Sequence, residues 1–397
     1  MHSVSKHKNR NVRVVIAPDS FKGGADALTV AHSMQRGLAG VQGVITAIFP
    51  MADGGEGTGE ILVRGKNTIR HIISTVDSFG RPHQAEWLQM GSTAIVEAAQ
   101  GSGYIHPDER PTDGRYTTSL GTGQLIAAAM STVQITKVIV CLGGSGSSDG
   151  GLGLWVGMGG TATGPCGEPI EPMAYNLSRV NHVSKPVGCK TMVALYDVAV
   201  PLMGPQGCLR MFGPQKGVPL DCLPTLEMSL AHWADVVETA MTTHVIDLPG
   251  AGAAGGMGFV LAALGADLKS GAEYVADSTG LADALKTADL CLTGEGSLDE
   301  QSLKGKVVAT VSGMAAKYQV PVLAVTGQIK LSPDNEQEFV HQGLSAVIGI
   351  LDAPYSINQA LSETANLVEG AVRRSLGMGF LALMGADPAS EVDLWGR

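Results

Sequence analysis

The apolar positions of this chain follow two periods, and their order already outlines an architecture. Val12–Ala17 is a largely β-branched run broken only by Arg13, the signature of a buried strand. In Ala25–Ala39 the apolar residues Leu28, Ala31, Met34 and Leu38 recur at helical spacing. Val44–Phe49 predicts a second strand, and Gly59–Val63 a short helix after the loop Met51–Gly57. Such a βαβα order predicts a parallel sheet with helices on its faces. From about Thr68 strands crowd together, as in Ala85–Met90 and Thr93–Ala98, which predicts a different, mixed sheet. Leu125–Met130 is helical, Val138–Leu142 and Met192–Leu195 are strands, and Leu223–Met241 and Met257–Leu264 are helices. After Asp289 the alternation returns. Leu290–Thr293, Val322–Val325 and Ala346–Ile350 are strands, with helices at Val307–Lys317 and Gln359–Leu376. The two ends share a character that the middle lacks. The fold class expected is therefore α/β with two domains: a parallel-sheet domain from 11–66 and 288–385, and an inserted mixed α/β domain over 67–287. Residues 1–10 form a flexible arm, and the active site is expected in the cleft between the domains.

Composition changes this picture in one respect. The chain holds 53 glycines in 397 residues, about twice the usual ~7%, with no Gly-X-Y period. Aromatic residues are 5% and charged residues 16%, so the core is built mainly from aliphatic and alanine side chains. The net charge of −10, with no long basic stripe, argues against a nucleic-acid surface. Lys6, Lys8, Arg10 and Arg13 are a solvated arm. The six cysteines form no CxxC pair and no signal peptide precedes them, which predicts reduced thiols in a cytoplasmic protein. No HExxH motif predicts zinc. The uncharged run Leu248–Ala266 spans 19 residues, six of them glycine and six alanine. A buried loop and helix explain it better than a membrane span.

The glycines gather with polar residues at strand ends. Pro18–Gly24 (PDSFKGG) follows the first strand and offers Asp19, Ser20 and Lys22, at the edge where open α/β sheets bind ligands. Ala52–Thr58 (ADGGEGT) sets the carboxylates Asp53 and Glu56 among three glycines. Gly143–Gly151 (GGSGSSDGG) combines Ser145, Ser147, Ser148 and Asp149 with glycines whose N–H groups can cradle phosphate. Pro249–Gly256 has Gly250, Gly252 and Gly255 at GxGxxG spacing, a dinucleotide fingerprint in form. Its context is poor, because the preceding strand is only His244–Leu248. Close backbone packing or a phosphate contact are the competing readings. Thr293–Lys306 (TGEGSLDEQSLKGK) brings Glu295, Asp299, Lys304 and Lys306 near a strand end. Phe212–Gly217 (FGPQKG) adds Gln215 and Lys216, and Asp197 lies just past Met192–Leu195. No Walker A sequence is present. Many N–H donors with several lysines and carboxylates suit phosphoryl transfer, where catalysis is positioning plus charge neutralisation.

The motifs IAPDSFKGG, PMADGGEGT, TSLGTGQLI, LGGSGSSDGG, FGPQKG, PGAGAAGGMG and TGEGSLDEQSLKGK occur here in the order found in the type-1 bacterial glycerate kinases. The chain resembles that family over roughly Val12–Leu376. The resemblance implies ATP-dependent phosphorylation of D-glycerate, usually to 2-phosphoglycerate, and a flavodoxin-like domain carrying an inserted α/β domain. On it, Gly143, Gly144, Ser145, Gly146, Ser147, Asp149 and Lys306 are expected to hold the nucleotide. Asp197, Lys22, Glu295 and Asp299 are the catalytic candidates, with Asp197 and Glu295 on Mg²⁺. Asp19, Ser20, Asp53, Glu56 and Lys216 face glycerate. The partners expected are a small-molecule substrate and a second copy in a homodimer, with no nucleic acid and no membrane. The sequence departs from the family at Ser148 (usually Asn), at Tyr196 and Val200 (usually Cys and Asn) and at Ser297 (usually Arg). Those changes leave open a kinase of the same fold acting on another small hydroxy acid, or a sensor that keeps the pocket without turnover. An NAD-dependent dehydrogenase using Gly250, Gly252 and Gly255 is a further alternative.

Overall fold

The structure, a computed structural model, describes residues 11–186, 190–303 and 305–383. The expected arm 1–10, and Lys304 of the Thr293–Lys306 segment, lie outside the described residues. The chain divides into two compact units. One takes the described residues up to Met51, Thr279–Leu303 and those from Val307 onward; the other takes Ala52–Ser278 with Gly305 and Lys306. Residues 52–66, expected with the terminal domain, thus belong to the second unit, because the loop after Met51 packs on strands of that unit.

Strands β1 (Val12–Ile16) and β2 (Val44–Ile48) begin the first unit. The second unit holds β3 (Ile69–Val76), β4 (Pro82–Met90), β5 (Thr93–Glu97), β6 (Lys137–Cys141), β7 (Thr161–Thr163), β8 (His182–Ser184), β9 (Thr191–Tyr196) and β10 (Asp267–Ser270). The chain then returns to the first unit with β11 (Leu290–Leu298), β12 (Val322–Ile329) and β13 (Leu344–Gly349).

The first unit is a five-stranded sheet in the order β13-β12-β11-β1-β2. Every pair is parallel. Counted within the unit, this is the doubly wound order of the flavodoxin-like fold, with its switch between β1 and β11. The helix Ala27–Leu38 starts where Asp26 accepts a hydrogen bond from Thr29 N–H at 2.7 Å. It packs on the helix Thr364–Leu383, over a core of Val14, Ile16, Val30, Met34, Leu292, Val325, Val368 and Val372. Strand β11 is longer than the sequence pattern predicts. Gly294–Leu298, expected as loop, continues the strand, pairing Glu295 with Thr326 and Leu298 with Ile329. The apolar pattern stops at Thr293, but glycine lets the backbones close: a Cβ on Gly294 would lie 2.1 Å from Val325 O.

The second unit is a six-stranded mixed sheet, β10-β9-β6-β5-β4-β3, with a small β7-β8 ribbon. β5, β6, β9 and β10 run parallel; β4 and β3 are antiparallel. The core unites Val138, Val140, Leu125, Trp155, Trp233 and Phe259. The strand expected at His244–Leu248 is absent; that stretch is irregular and turned. Two of its N–H groups, Val245 and Ile246, donate to Glu238 Oε1 at 2.7 and 2.9 Å rather than to a sheet. Among the described residues, no helix is long and apolar enough to cross a membrane.

Candidate active site

The loop Ala52–Thr58 runs across the carboxyl ends of all four parallel strands of the second unit. At β10, a Cβ on Gly271 would lie 2.2 Å from Asp53 O. At β9, a Cβ on Gly54 would lie 3.0 Å from Leu195 O. At β6, Gly143 N–H donates to Gly54 O at 3.0 Å, and a Cβ on Gly143 would lie 2.5 Å from Gly55 Cα. At β5, Gly59 N–H donates to Glu97 Oε1 at 2.8 Å. Gly54 and the strand-end Gly143 and Gly271 leave no free room for a Cβ at those crossings, whereas a Cβ on Gly55 would meet Asp53 Oδ1, at 3.0 Å, and Gly143 Cα, at 3.7 Å. The carboxyl edge of an open parallel sheet is where such folds bind ligands.

The crossing puts charge in one place. Asp197 follows β9 directly, and a Cβ on Gly143 would stand 3.4 Å from Asp197 Oδ2. Burial and then the neighbouring Asp53 push the Asp197 carboxyl up to about 6, with Lys306 and Lys216 pulling the other way. Asp53 turns one oxygen to Gly55 N–H at 3.0 Å. Glu56 is exposed. Glu97 closes the far end of the row; burial raises its pKa, against hydrogen bonds from Gly59 and Gly57.

Beside this row lies Gly143–Gly151. Lys216 is buried, and its Nζ donates to Ser145 Oγ and to Ser147 O, each at 2.9 Å. Burial lowers the Lys216 ammonium to about 8, against the favourable charges of Cys208, Asp197 and Asp149. Ser147 Oγ is buried and has no hydrogen-bond partner. Asp149 is wholly buried. It accepts from Ser119 N–H at 2.7 Å, Ser119 Oγ–H at 2.8 Å, Gly153 N–H at 2.9 Å and Gly151 N–H at 3.2 Å. Its carboxylate is occupied in holding the loop's exit. Trp233 Nε1–H donates to Gly150 O at 2.9 Å and fixes the next residue.

The Pro249–Gly256 segment backs the same loop. Gly150 N–H donates to Gly255 O at 2.9 Å, a Cβ on Gly255 would lie 2.1 Å from Ser147 O, and one on Gly256 would lie 2.6 Å from Gly150 Cα. Ala254, Gly255 and Gly256 are left-handed, at φ 55°, 66° and 100°. With no strand before it, and with Gly250 closed by the Tyr196 ring and Gly252 and Gly255 by backbone, the segment lacks the setting of a dinucleotide fingerprint.

In the first unit, Asp19, Ser20 and Lys22 follow β1 and lie beside β11. Asp19 N–H donates to Gly294 O at 2.8 Å, and Ser20 N–H to Asp19 Oδ1 at 2.6 Å. A Cβ on Gly296 would lie 3.3 Å from Lys22 N. Lys22 is exposed and Glu295 buried. Asp299 N–H donates to Ser302 Oγ at 3.1 Å. These five share the carboxyl ends of β1 and β11, the switch point of that sheet. Ser297 keeps a buried Oγ that has no hydrogen-bond partner among the described residues.

Sequence reasoning missed Glu97, whose only signal is a lone acid closing an apolar strand, and Ser119, which ties down Asp149. Both act through pairings distant in the chain. Among the described residues, no group of three or more His, Cys, Asp or Glu side chains forms a metal cage.

Comparison with known proteins follows this geometry. The family model of the glycerate kinase family matches residues 14–378. The chain belongs to the glycerate kinase family. It is an enzyme, a phosphotransferase. It is 36% identical over 376 residues to a glycerate kinase from Bacillus subtilis, covering 91% of this chain and 96% of that one. It is 35% identical over 360 residues to a glycerate 2-kinase from Escherichia coli, covering 88% and 93%. A crystal structure described as that of a glycerate kinase 2 from Salmonella typhimurium superposes with a TM-score of 0.75 at 31% identity, covering 92% of this chain and 97% of that one.

Proposed function

We propose that the protein transfers the terminal phosphoryl group of ATP to D-glycerate, giving 2-phosphoglycerate and ADP. The observation that carries this reading is the meeting of Asp53, Asp197, Lys306 and Lys216 where the Ala52–Thr58 loop crosses the strand ends. The loop Gly143–Ser147, with Lys216 and Lys306, holds the phosphate chain through N–H, hydroxyl and ammonium donors. Asp149 shapes that loop. Asp197 accepts the proton of the attacking hydroxyl, since a carboxyl near 6 is largely ionised at neutral pH yet still basic. Asp53 and Glu56 face the acid, and Asp19, Ser20 and Lys22, after β1 in the first unit, remain candidates for substrate binding and charge neutralisation. Glu295 and Asp299 remain candidates for metal and proton handling.

The residues fit Mg²⁺. Asp53 raises Asp197 by repulsion, and a divalent cation held by both carboxylates relieves it. Mg²⁺ favours one or two carboxylates plus phosphate oxygens and water over a protein cage. When bound it supplies charge neutralisation at the phosphates. ADP release from ATP, Mg²⁺ and D-glycerate tests the reading, with the product identified by NMR. Turnover of another acid but not of D-glycerate would sink it. The buried Val200 and Ser297 favour one second reading, a changed acceptor, which a panel of small hydroxy acids decides.

A further inference from the structure

Tyr104 is attached to the phosphate loop by its backbone. Its N–H donates to Gly144 O at 3.0 Å, and Gly146 N–H donates to Ser102 O at 2.7 Å, so the segment runs beside Gly143–Ser147 like a short extra strand. The Tyr104 ring is 46% exposed. One cation backs it: the Arg110 guanidinium lies 5.1 Å from the ring centroid. Arg110 is held in place by two carbonyls, Nε–H donating to Ile105 O at 2.9 Å and Nη2–H to Gln215 O at 2.6 Å. Gln215 directly precedes Lys216, the ammonium on Ser145 and Ser147.

The second unit has another tyrosine–arginine group for contrast. Arg115 lies 5.8 Å from the Tyr116 ring, but its charge is neutralised by Asp113, at 2.9 Å. Tyr116 also packs on Tyr175, the centroids 5.0 Å apart. No carboxylate pairs with Arg110 among the described residues, and the Tyr104 ring meets no second aromatic there. An aromatic face with a fixed cation behind it, one residue from a phosphate cradle, suits a planar, electron-rich heterocycle joined to a phosphate chain.

We propose that Tyr104, stiffened by Arg110, is the stacking platform for the purine base of the nucleotide. This rests on the reading that Gly143–Ser147 with Lys216 holds the phosphates. Arg110 acts through Tyr104 and is a positioning residue; Tyr104 is the one that touches the base.

The test separates base from phosphate. The whole chain and the variants Tyr104→Ala, Tyr104→Phe and Lys216→Ala are titrated calorimetrically with ATP and with inorganic tripolyphosphate, after thermal melting has shown each to be folded. Tyr104→Ala is expected to weaken ATP by about tenfold and to leave tripolyphosphate within about twofold. Tyr104→Phe is expected to restore ATP affinity, since it keeps the ring. Unchanged ATP binding in Tyr104→Ala, or equal loss of both ligands, overturns the platform. Lys216→Ala is expected to weaken both ligands. If it weakens neither, the phosphate-loop reading falls, whereas selective loss of ATP in Tyr104→Ala would still support the platform.

Discussion

Two glycine-rich segments of the second unit, Gly143–Gly151 and Pro249–Gly256, touch where Ser147–Gly151 meets Gly255 and Gly256, yet differ in what they carry. The first carries Ser145, Ser147 and Asp149 and receives Lys216. The second carries only proline and alanine beside its glycines, and those glycines are spent on contact, with Gly255 against Ser147 and Gly256 against Gly150. Glycine spacing alone would have named the second as the nucleotide loop. What separates the first from its buttress is polar side chains: Ser145, Ser147 and Asp149 belong to the first segment itself, and Lys216 reaches it from a distant part of the chain.

That contrast breaks most sharply at the buttress. Gly255→Val puts a β-branched residue at φ 66° with its Cβ 2.1 Å from a carbonyl. It should cost more than about 4 kcal/mol, read as loss of the folded protein in denaturant titration. A near-normal melting temperature would show that the two segments are not locked. On the chemical side, Asp197→Asn should lower kcat by about hundredfold at saturating Mg²⁺ with stability kept. A rise only in the Mg²⁺ needed for half-activation would assign Asp197 to the metal instead of the proton.

Asp149→Asn lies between these extremes. It replaces an acceptor facing several N–H groups by one that also bears donors. Stability should fall by about 1–3 kcal/mol, more than any direct effect on chemistry. Equal melting temperatures with lost nucleotide affinity would instead give Asp149 a ligand contact. The pH profile of kcat/KM distinguishes the charged members. Asp197, raised to about 6 without a cation, must lose its proton to act, so activity should fall as pH drops to that value or, where Mg²⁺ relieves the repulsion from Asp53, below it. Lys216, lowered to about 8, must keep its proton, so activity should fall again above it. A profile flat across both limbs would remove the pair from the rate-determining chemistry. The smallest effect is expected at Ser145→Ala, which frees one Lys216 hydrogen bond while Ser147 O retains the other. A rise in the KM for ATP of about threefold would match one neutral hydrogen bond.

Much of the fold was legible in the chain. The helix Leu223–Met241 begins and ends where its apolar period does, and the strands β1, β2, β5, β6 and β9 fall within a residue or so of their hydrophobic runs. The second half of β11 was not legible, because its glycines and polar residues carry no strand pattern and are paired only through β12. The candidate residues were read from the chain as glycine-rich segments carrying Asp, Ser and Lys, and the structure brings Asp53, Asp197, Lys216 and the loop Gly143–Ser147 of that set together in the second unit. The arrangement was not legible: nothing near Asp53 in sequence says that it raises Asp197, and nothing near Ser145 says that Lys216 bonds it.

The sequence by itself determined the α/β class and the motif order that places the chain among the glycerate kinases, because periodicity and local composition are properties of short segments. Only the tertiary structure decided that Ala52–Thr58 crosses four strand ends, that Glu97 anchors one end of it, and that the GxGxxG segment is a buttress. Those outcomes depend on which backbones come within contact distance, and residues far apart in the chain meet there through sheet register, which local pattern does not encode.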